Sequence, residues 1–351
     1  MEVKELSSSP YIMLLKKTDF WYWCRYFIDF FNECPYRCSY CNTKDRKDLR
    51  GIEFLPGLPP ERETVGFGLL SDLYHPDYQG NRLVTGVLDA LYRRGYPVTI
   101  ITKSDQIIEN IQILKKLSEK KSVQITLTIL TLNVAVSEQI EGKSPSPQKR
   151  LSTLRMLTSE GIPAGIAITP IIPFINDDPQ SLRELIQEAK KNGASWVLFS
   201  GFNPVPSFLC NPAWKRTAEI HSKPERLEEH YRKIKNLMIK LLLEEGLSMR
   251  IPRMCPDRIY RGRSSAIVSE YLFNISYFYE LLENHLEAMR YRRAAYTLER
   301  LLQPLKSIVS QGKHGYIKGI NPEIEKDMEE VLYKGSSSTY LKLQEKLRAR
   351  V

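Results

Sequence analysis

PVTIITKSDQIIENIQILKKLSEKKSVQITLTILT, residues 97–131, contains the pattern that decides the fold. A β-branched run, VTIIT, ends in Lys103-Ser104. Apolar residues then recur at helical spacing from Asp105 to Glu119, and a second β-branched run, VQITLTILT (123–131), follows. Such runs suit strands, and strands separated by helices of about 10–15 residues pair in parallel through right-handed crossovers. The alternation extends both ways. RYFIDFF (25–31) and TVGFGLL (64–70) precede it, and GIAITPIIP (165–173) and SWVLFSGF (195–202) follow it, giving six predicted strands. Helical patterns cover Arg82–Arg94, Ser146–Glu160 and Asp178–Asn192, the last closed by Asn192-Gly193 as helices commonly end. The expectation is an α/β fold with a parallel sheet.

Barrel-type β/α folds gather their chemistry on the loops after the strand C-termini. Here those loops hold unusual residues. Cysteines follow the first strand, Ser71-Asp72 the second, Lys103-Ser104 ends the third, and Thr128 and Thr131 end the fourth. The recurrence at four strand ends points to one shared site. From about residue 265 the pattern changes to helices without strands. Predicted boundaries are an N-terminal extension at 1–20, the barrel at 21–255, a linker at 256–264 overlapping the Pro/Arg-rich MRIPRMCPDRIYRGR (249–263), and a helical module at 265–351.

At 351 residues and 42% hydrophobic content, two domains are the natural division. No apolar run approaches the ~20 residues of a membrane span, and MEVKELSSSPYIMLLKK lacks a secretory h-region and cleavage site. A cytoplasmic, non-membrane protein is expected. The net charge of +10 favours polyanionic partners through counterion release, and is equally compatible with a basic surface that serves solubility. Residues 256–351 contribute +4 of it, so the excess is spread along the chain. The six cysteines, three of them within eight residues, do not suit an evenly spread disulfide framework.

Cys34, Cys38 and Cys41 lie in one tight loop, ECPYRCSYC. Three thiolate ligands leave one iron of a [4Fe–4S] cluster open, whereas structural zinc takes four ligands. The alternative is a zinc site completed by His75 or Cys24. ECPYRCSYC resembles the three-cysteine signature of radical S-adenosylmethionine (SAM) enzymes, with Tyr40 before the last ligand. The resemblance implies a partial (β/α)6 barrel. It also implies a [4Fe–4S] cluster whose open iron chelates SAM, an electron from a reducing partner such as flavodoxin or ferredoxin, and cleavage to methionine and a 5′-deoxyadenosyl radical. FNECPYRCSYCN, LLSDLYHPDY, VTIITKS, TLTILT, EGKSPSPQKRL and GIPAGIAITPIIPFIND further resemble the successive motifs of the spore photoproduct lyase-like branch, over roughly 25–200. By that resemblance Lys103 and Thr128 face the methionyl end of SAM, Tyr40 its adenine, and Ser71 and Asp72 its amino group. Glu141 and Arg150 match a further element of the branch. Two positions depart from it. The branch's hydrogen-donating cysteine is Leu69 here, and the tyrosine after the last cluster cysteine is Asn42, leaving Cys255 or Cys210 as candidate thiols.

The segment at roughly 271–335 resembles the helical DNA-binding module of family X DNA polymerases. RYRRAAYTLERL matches one of its helices and IKGINPEIEKDMEEVLYKG its helix-hairpin-helix. Gly319 permits the tight turn, and Asn321 replaces the second glycine. The lysine that forms the Schiff base in those modules aligns with Asp327, beside Lys326, so lyase activity is not implied. Arg290, Arg292, Arg293 and Lys318 are the expected phosphate contacts, which position a nucleic acid without reading sequence. The combined expectation is a radical enzyme acting on a DNA lesion or modified base. RNA or peptide modification, or a nucleic-acid-binding protein with a structural or redox-sensing cluster, are the alternatives.

Overall fold

The computed structural model describes residues 12–15, 21–24, 26–29, 34, 36–41, 52–54, 57–58, 62–69, 71–74, 81–254, 263–312, 317 and 319–350. The chain forms two compact units, Met1–Met254 and Cys255–Val351.

The first unit is built on one sheet. Its strands are β1 (Ile12–Leu15), β2 (Tyr26–Ile28), β3 (Ile52–Phe54), β4 (Val65–Phe67), β5 (Val98–Thr102), β6 (Val123–Thr128), β7 (Ala164–Ile171) and β8 (Val197–Gly201), in the order β3-β1-β2-β4-β5-β6-β7-β8. Neighbouring strands from β2 through β4 to β8 pair in parallel. These are the six strands expected from the sequence. Their spatial order follows chain order without reversal, so every right-handed crossover steps the same way and the helices collect on one face. The other face becomes the concave interior of a barrel-type fold, and all six C-terminal ends lie along one edge. Every residue of β5 and β6 is buried, the threonines included, as strands covered on both faces must be.

The helices are α1 (Asn81–Arg94), α2 (Ile111–Glu119), α3 (Val134–Glu141), α4 (Pro147–Ser159), α5 (Pro179–Lys191), α6 (Pro206–Leu209), α7 (Lys215–His221) and α8 (Pro224–Glu244). Their starts are chemically marked. Ser146 accepts from the Lys149 N–H and Asp178 from the Ser181 N–H, each followed by proline at the first helical position. Asn192 and Gly193, φ +88°, end α5 as expected. The helix predicted over Asp105–Glu119 opens as a 3-10 turn, Asp105–Asn110, because Ser104 accepts from the Gln106 N–H and tightens the entry. Sequence patterning missed β1 and β3, which pair antiparallel at the edge, and α3 and α6–α8.

The second unit is all-helical: α9 (Arg263–Leu281), α10 (His285–Glu299), α11 (Leu305–Ser310), α12 (Pro322–Lys334) and α13 (Ser338–Ala349). Ala288, Ala294 and Ala295 are buried on α10 and allow α9 to approach closely. Ser269 and Ser276 of α9 then donate to the carbonyls of Ala295 (3.0 Å) and Ala288 (2.6 Å). No helix among the described residues is long and apolar enough to cross a membrane.

Candidate active site

The cysteine loop follows β2 and is pinned to the end of α3. The backbone and hydroxyl of Ser39 both donate to Ile140 O, at 2.8 and 3.1 Å. The Cys38 thiol donates to Glu141 O at 3.8 Å, and the Cys41 N–H to Cys38 O at 3.1 Å. The loop's apolar side chains explain why it turns inward. Tyr36, Cys38 and Tyr40 pack with Leu130, Ile140, Ile172, Phe202, Phe208 and Trp214, with Cys34 and Cys41 at the margin. Phe208 and Trp214 stack with ring centroids 5.4 Å apart. These residues come from the C-terminal ends of β6, β7 and β8 and the segments after them.

Glu141 is the centre of the polar network. Its Oε1 accepts from the Tyr40 hydroxyl at 3.0 Å and lies 3.9 Å from Lys103 Nζ. Its Oε2 accepts from Ser137 at 3.0 Å and lies 2.7 Å from Arg150 Nη1. Arg150 also donates to Thr128 O (2.9 Å) and Pro145 O (2.7 Å), so a fully buried guanidinium is satisfied on all sides. Lys103 lies 5.7 Å from the centroid of the Tyr40 ring. Burial draws the Lys103 ammonium down, but Cys38 and Glu141 more than reverse this and hold it above the usual lysine value.

Asp72 ties the second and third parallel strands together. Its Oδ1 accepts from Thr102 (2.7 Å) and the Tyr74 N–H (3.1 Å), and its Oδ2 from the Lys103 N–H (2.6 Å). Burial pushes its carboxyl up against those three hydrogen bonds. Ser71 donates to Asp29. Both side chains are therefore engaged by the protein frame.

Burial also pushes the Cys34 and Cys38 thiols up, Cys38 to about 11, with Lys103 opposing the rise in both. Cys34 and Cys41 add to the push on Cys38, as neighbouring thiolates would. A cationic metal centre reverses that logic, because it stabilises the thiolates that burial disfavours. Cysteine is the donor type that an iron–sulfur cluster takes, so the loop fits one by its chemistry, although Cys34, Cys38 and Cys41 are not drawn together as ligands here. Among the described residues no three His, Cys, Asp or Glu side chains form a ready ligand set for a metal ion. Cys24 belongs to a different apolar group, with Phe27 and Leu69, and does not join the other three cysteines. His75, Asn42, Cys255 and Lys318 lie outside the described residues. Cys210 is exposed.

In the helical unit Arg290 pairs with Glu287 and Arg292 with Glu280, while Arg293 is exposed. Gly319 has φ +85°, the turn conformation expected of it. Asn321 does not take a left-handed conformation. It has φ −101° and its side chain caps α12 by accepting from the Ile324 N–H at 2.9 Å. Asp327 is buried and accepts from the Tyr291 hydroxyl at 2.6 Å.

No family model matches the sequence. An uncharacterized protein of Methanocaldococcus jannaschii is 29% identical over 166 residues, 44% of this chain and 62% of the relative. An uncharacterized protein of Mycobacterium tuberculosis is 21% identical over 202 residues, 51% of this chain and 59% of the relative. The chain thus spans about 60% of the length of these curated relatives. Among solved structures, spore photoproduct lyase complexed with dinucleoside spore photoproduct is similar with TM-score 0.39 and 17% identity, covering 50% of this chain and 55% of that one. Streptococcus suis SuiB bound to S-adenosylmethionine is similar with TM-score 0.35 and 13% identity, covering 56% and 43%.

Proposed function

We propose that the chain is a radical SAM enzyme in which Cys34, Cys38 and Cys41 hold a [4Fe–4S] cluster, and that it acts on nucleic acid, DNA foremost. The observation that carries this reading is the three-cysteine loop at the C-terminal edge of a barrel-type sheet, with Cys38 buried and Cys34 and Cys41 half-buried, facing Lys103 and braced by Tyr40–Glu141–Arg150. When bound, the cluster supplies the electron that cleaves SAM reductively and releases a 5′-deoxyadenosyl radical.

The protein's residues orient and shield. Lys103 offers an ammonium for a ligand carboxylate, held in place by Glu141. Thr128 ends β6 beside it, with its carbonyl anchored by Arg150. Tyr40 contributes a ring whose hydroxyl is fixed to Glu141. Asp72 and Ser71 hold the strand ends in register rather than moving protons. Phe202, Phe208 and Trp214 keep water from the cysteine loop, as radical chemistry requires. A substrate base would have to leave its stack to reach such a site. The helical unit is assigned to nucleic-acid binding through Arg293 and its neighbours.

The test is anaerobic incubation of reduced protein with SAM and damaged DNA, intact DNA or RNA. Formation of 5′-deoxyadenosine stimulated by one of the DNAs supports the reading. Metal binding without SAM cleavage would mark a sensor instead.

A further inference from the structure

The loop after β7 carries a feature that the cluster chemistry leaves unused. Phe174 is 42% exposed and has φ +66°, the left-handed region that favours glycine and penalises a bulky side chain. Hydrogen bonds impose that conformation. The Phe174 N–H donates to Asp177 Oδ1 at 2.8 Å and the Ile172 N–H to Asn176 Oδ1 at 2.7 Å. Asn176 Nδ2 in turn donates to Leu130 O at 3.0 Å and Pro170 O at 3.2 Å. Thr217 of α7 donates to Pro173 O at 2.8 Å. Ile172 and Ile175 pack into the same apolar group as Cys38 and Tyr40. The loop is therefore anchored beside the cysteines and turns Phe174 outward.

Packing does not account for this side chain. Glycine would satisfy the backbone, and an exposed ring gains little from burial. A strained residue over-determined by its surroundings points to function. The ring also has specific company. The Arg216 guanidinium carbon stands 4.4 Å from its centroid, and the His230 ring 5.6 Å away. His230 Nε2 lies 2.7 Å from Asp177 Oδ2, so the carboxylate that holds the Phe174 backbone also orients the imidazole. Phenyl, guanidinium and imidazole planes are the groups on which unpaired bases stack, since every base presents a π face. Arg216 and the exposed Lys215 add charge that suits the adjoining phosphate.

We infer that Phe174, Arg216 and His230 form a stacking platform for an unpaired nucleobase at the rim of the site, holding the strand next to the nucleotide that reacts. The inference rests on the nucleic-acid reading above and names how this unit grips the strand.

The test compares Phe174→Gly and Phe174→Trp with the unaltered protein, using a single-stranded DNA oligonucleotide and an abasic strand of equal length and charge. Phe174→Gly should keep or raise the thermal midpoint, because glycine suits φ +66°. It should nonetheless bind the base-bearing strand about 5- to 100-fold more weakly, the worth of one stacked base, with an unchanged salt slope. Binding to the abasic strand should not change, and Phe174→Trp should retain the affinity for bases. A folded Phe174→Gly that keeps the full preference for base-bearing DNA overturns the platform and leaves the nucleic-acid reading intact. Unaltered protein that binds neither strand overturns both.

Discussion

Arg150 Nη1 stands 2.7 Å from Glu141 Oε2, with both side chains closed off from solvent. Removing one partner of a buried ion pair leaves an uncompensated charge and costs about 3–5 kcal/mol. Glu141→Ala should therefore destabilise the protein by about 3 kcal/mol, the lower end, because Arg150 retains two carbonyl acceptors. Glu141→Gln should cost less, since its amide oxygen can still accept from Tyr40. Urea unfolding checks both, and an unchanged midpoint for Glu141→Ala would contradict the network.

Burial pushes the Cys38 thiol up to about 11, and Lys103 opposes this. The thiolate is the reactive form. In metal-free protein Cys38 should resist iodoacetamide at a pH near neutrality and gain reactivity as pH rises toward 11. The folded thiol titrates above the ordinary value of 9.0 for an exposed cysteine. The linked stability is thus complete below that value and declines as pH climbs through it. Lys103→Met should move the reactivity to still higher pH. Peptide mapping by mass spectrometry gives the readout, and labelling as fast as in denatured protein would contradict the burial.

In the helical unit Arg290, itself exposed, pairs with Glu287, Arg292 pairs with Glu280, and Arg293 faces solvent. Arg293→Ala should weaken DNA binding more than either of the other two, evenly across sequences and with a shallower salt dependence. The triple replacement should weaken it further. Equal affinity and slope in all variants would point to a protein partner.

Glu330 Oε2 accepts from the Ser338 N–H at 2.6 Å, joining α12 to the start of α13. That bond, with the Ser338 hydroxyl and Lys334, lowers the Glu330 carboxyl to about 2. A depressed carboxylate stabilises the fold above its unfolded value near 4.5 and ceases to do so as pH falls toward 2. Unfolding curves of unaltered and Glu330→Gln protein should therefore differ at pH 6 and converge across that acid window. A constant difference at all pH values would contradict the bond.

The six parallel strands were legible because β-branched runs and helical spacing alternate along the chain. β1 and β3 were not, since they pair antiparallel and lie outside the strand–helix alternation that marks the other six. Helix α3 was hidden because VAVSEQIE opens with β-branched residues, and its start depends on Asn133 accepting from the Val136 N–H. Cys34, Cys38, Cys41, Lys103 and Tyr40 stand out in the sequence by their spacing and their likeness to known motifs. The junction at Glu141 does not, because it joins four side chains, the most distant of which, Tyr40, lies 101 residues from Glu141 in the chain. The same limit hid Phe174, whose significance comes from its φ and from Arg216 and His230 rather than from its neighbours in sequence.

Whether Cys34, Cys38 and Cys41 hold a cubane cluster is decided by the iron content of the protein after anaerobic reconstitution. Reconstituted protein should carry about four irons and about four sulfides per chain, lost when the three cysteines are replaced together by alanine. A full cluster retained in that triple variant, or stoichiometric zinc in place of iron in the unaltered protein, would contradict cluster ligation by these cysteines.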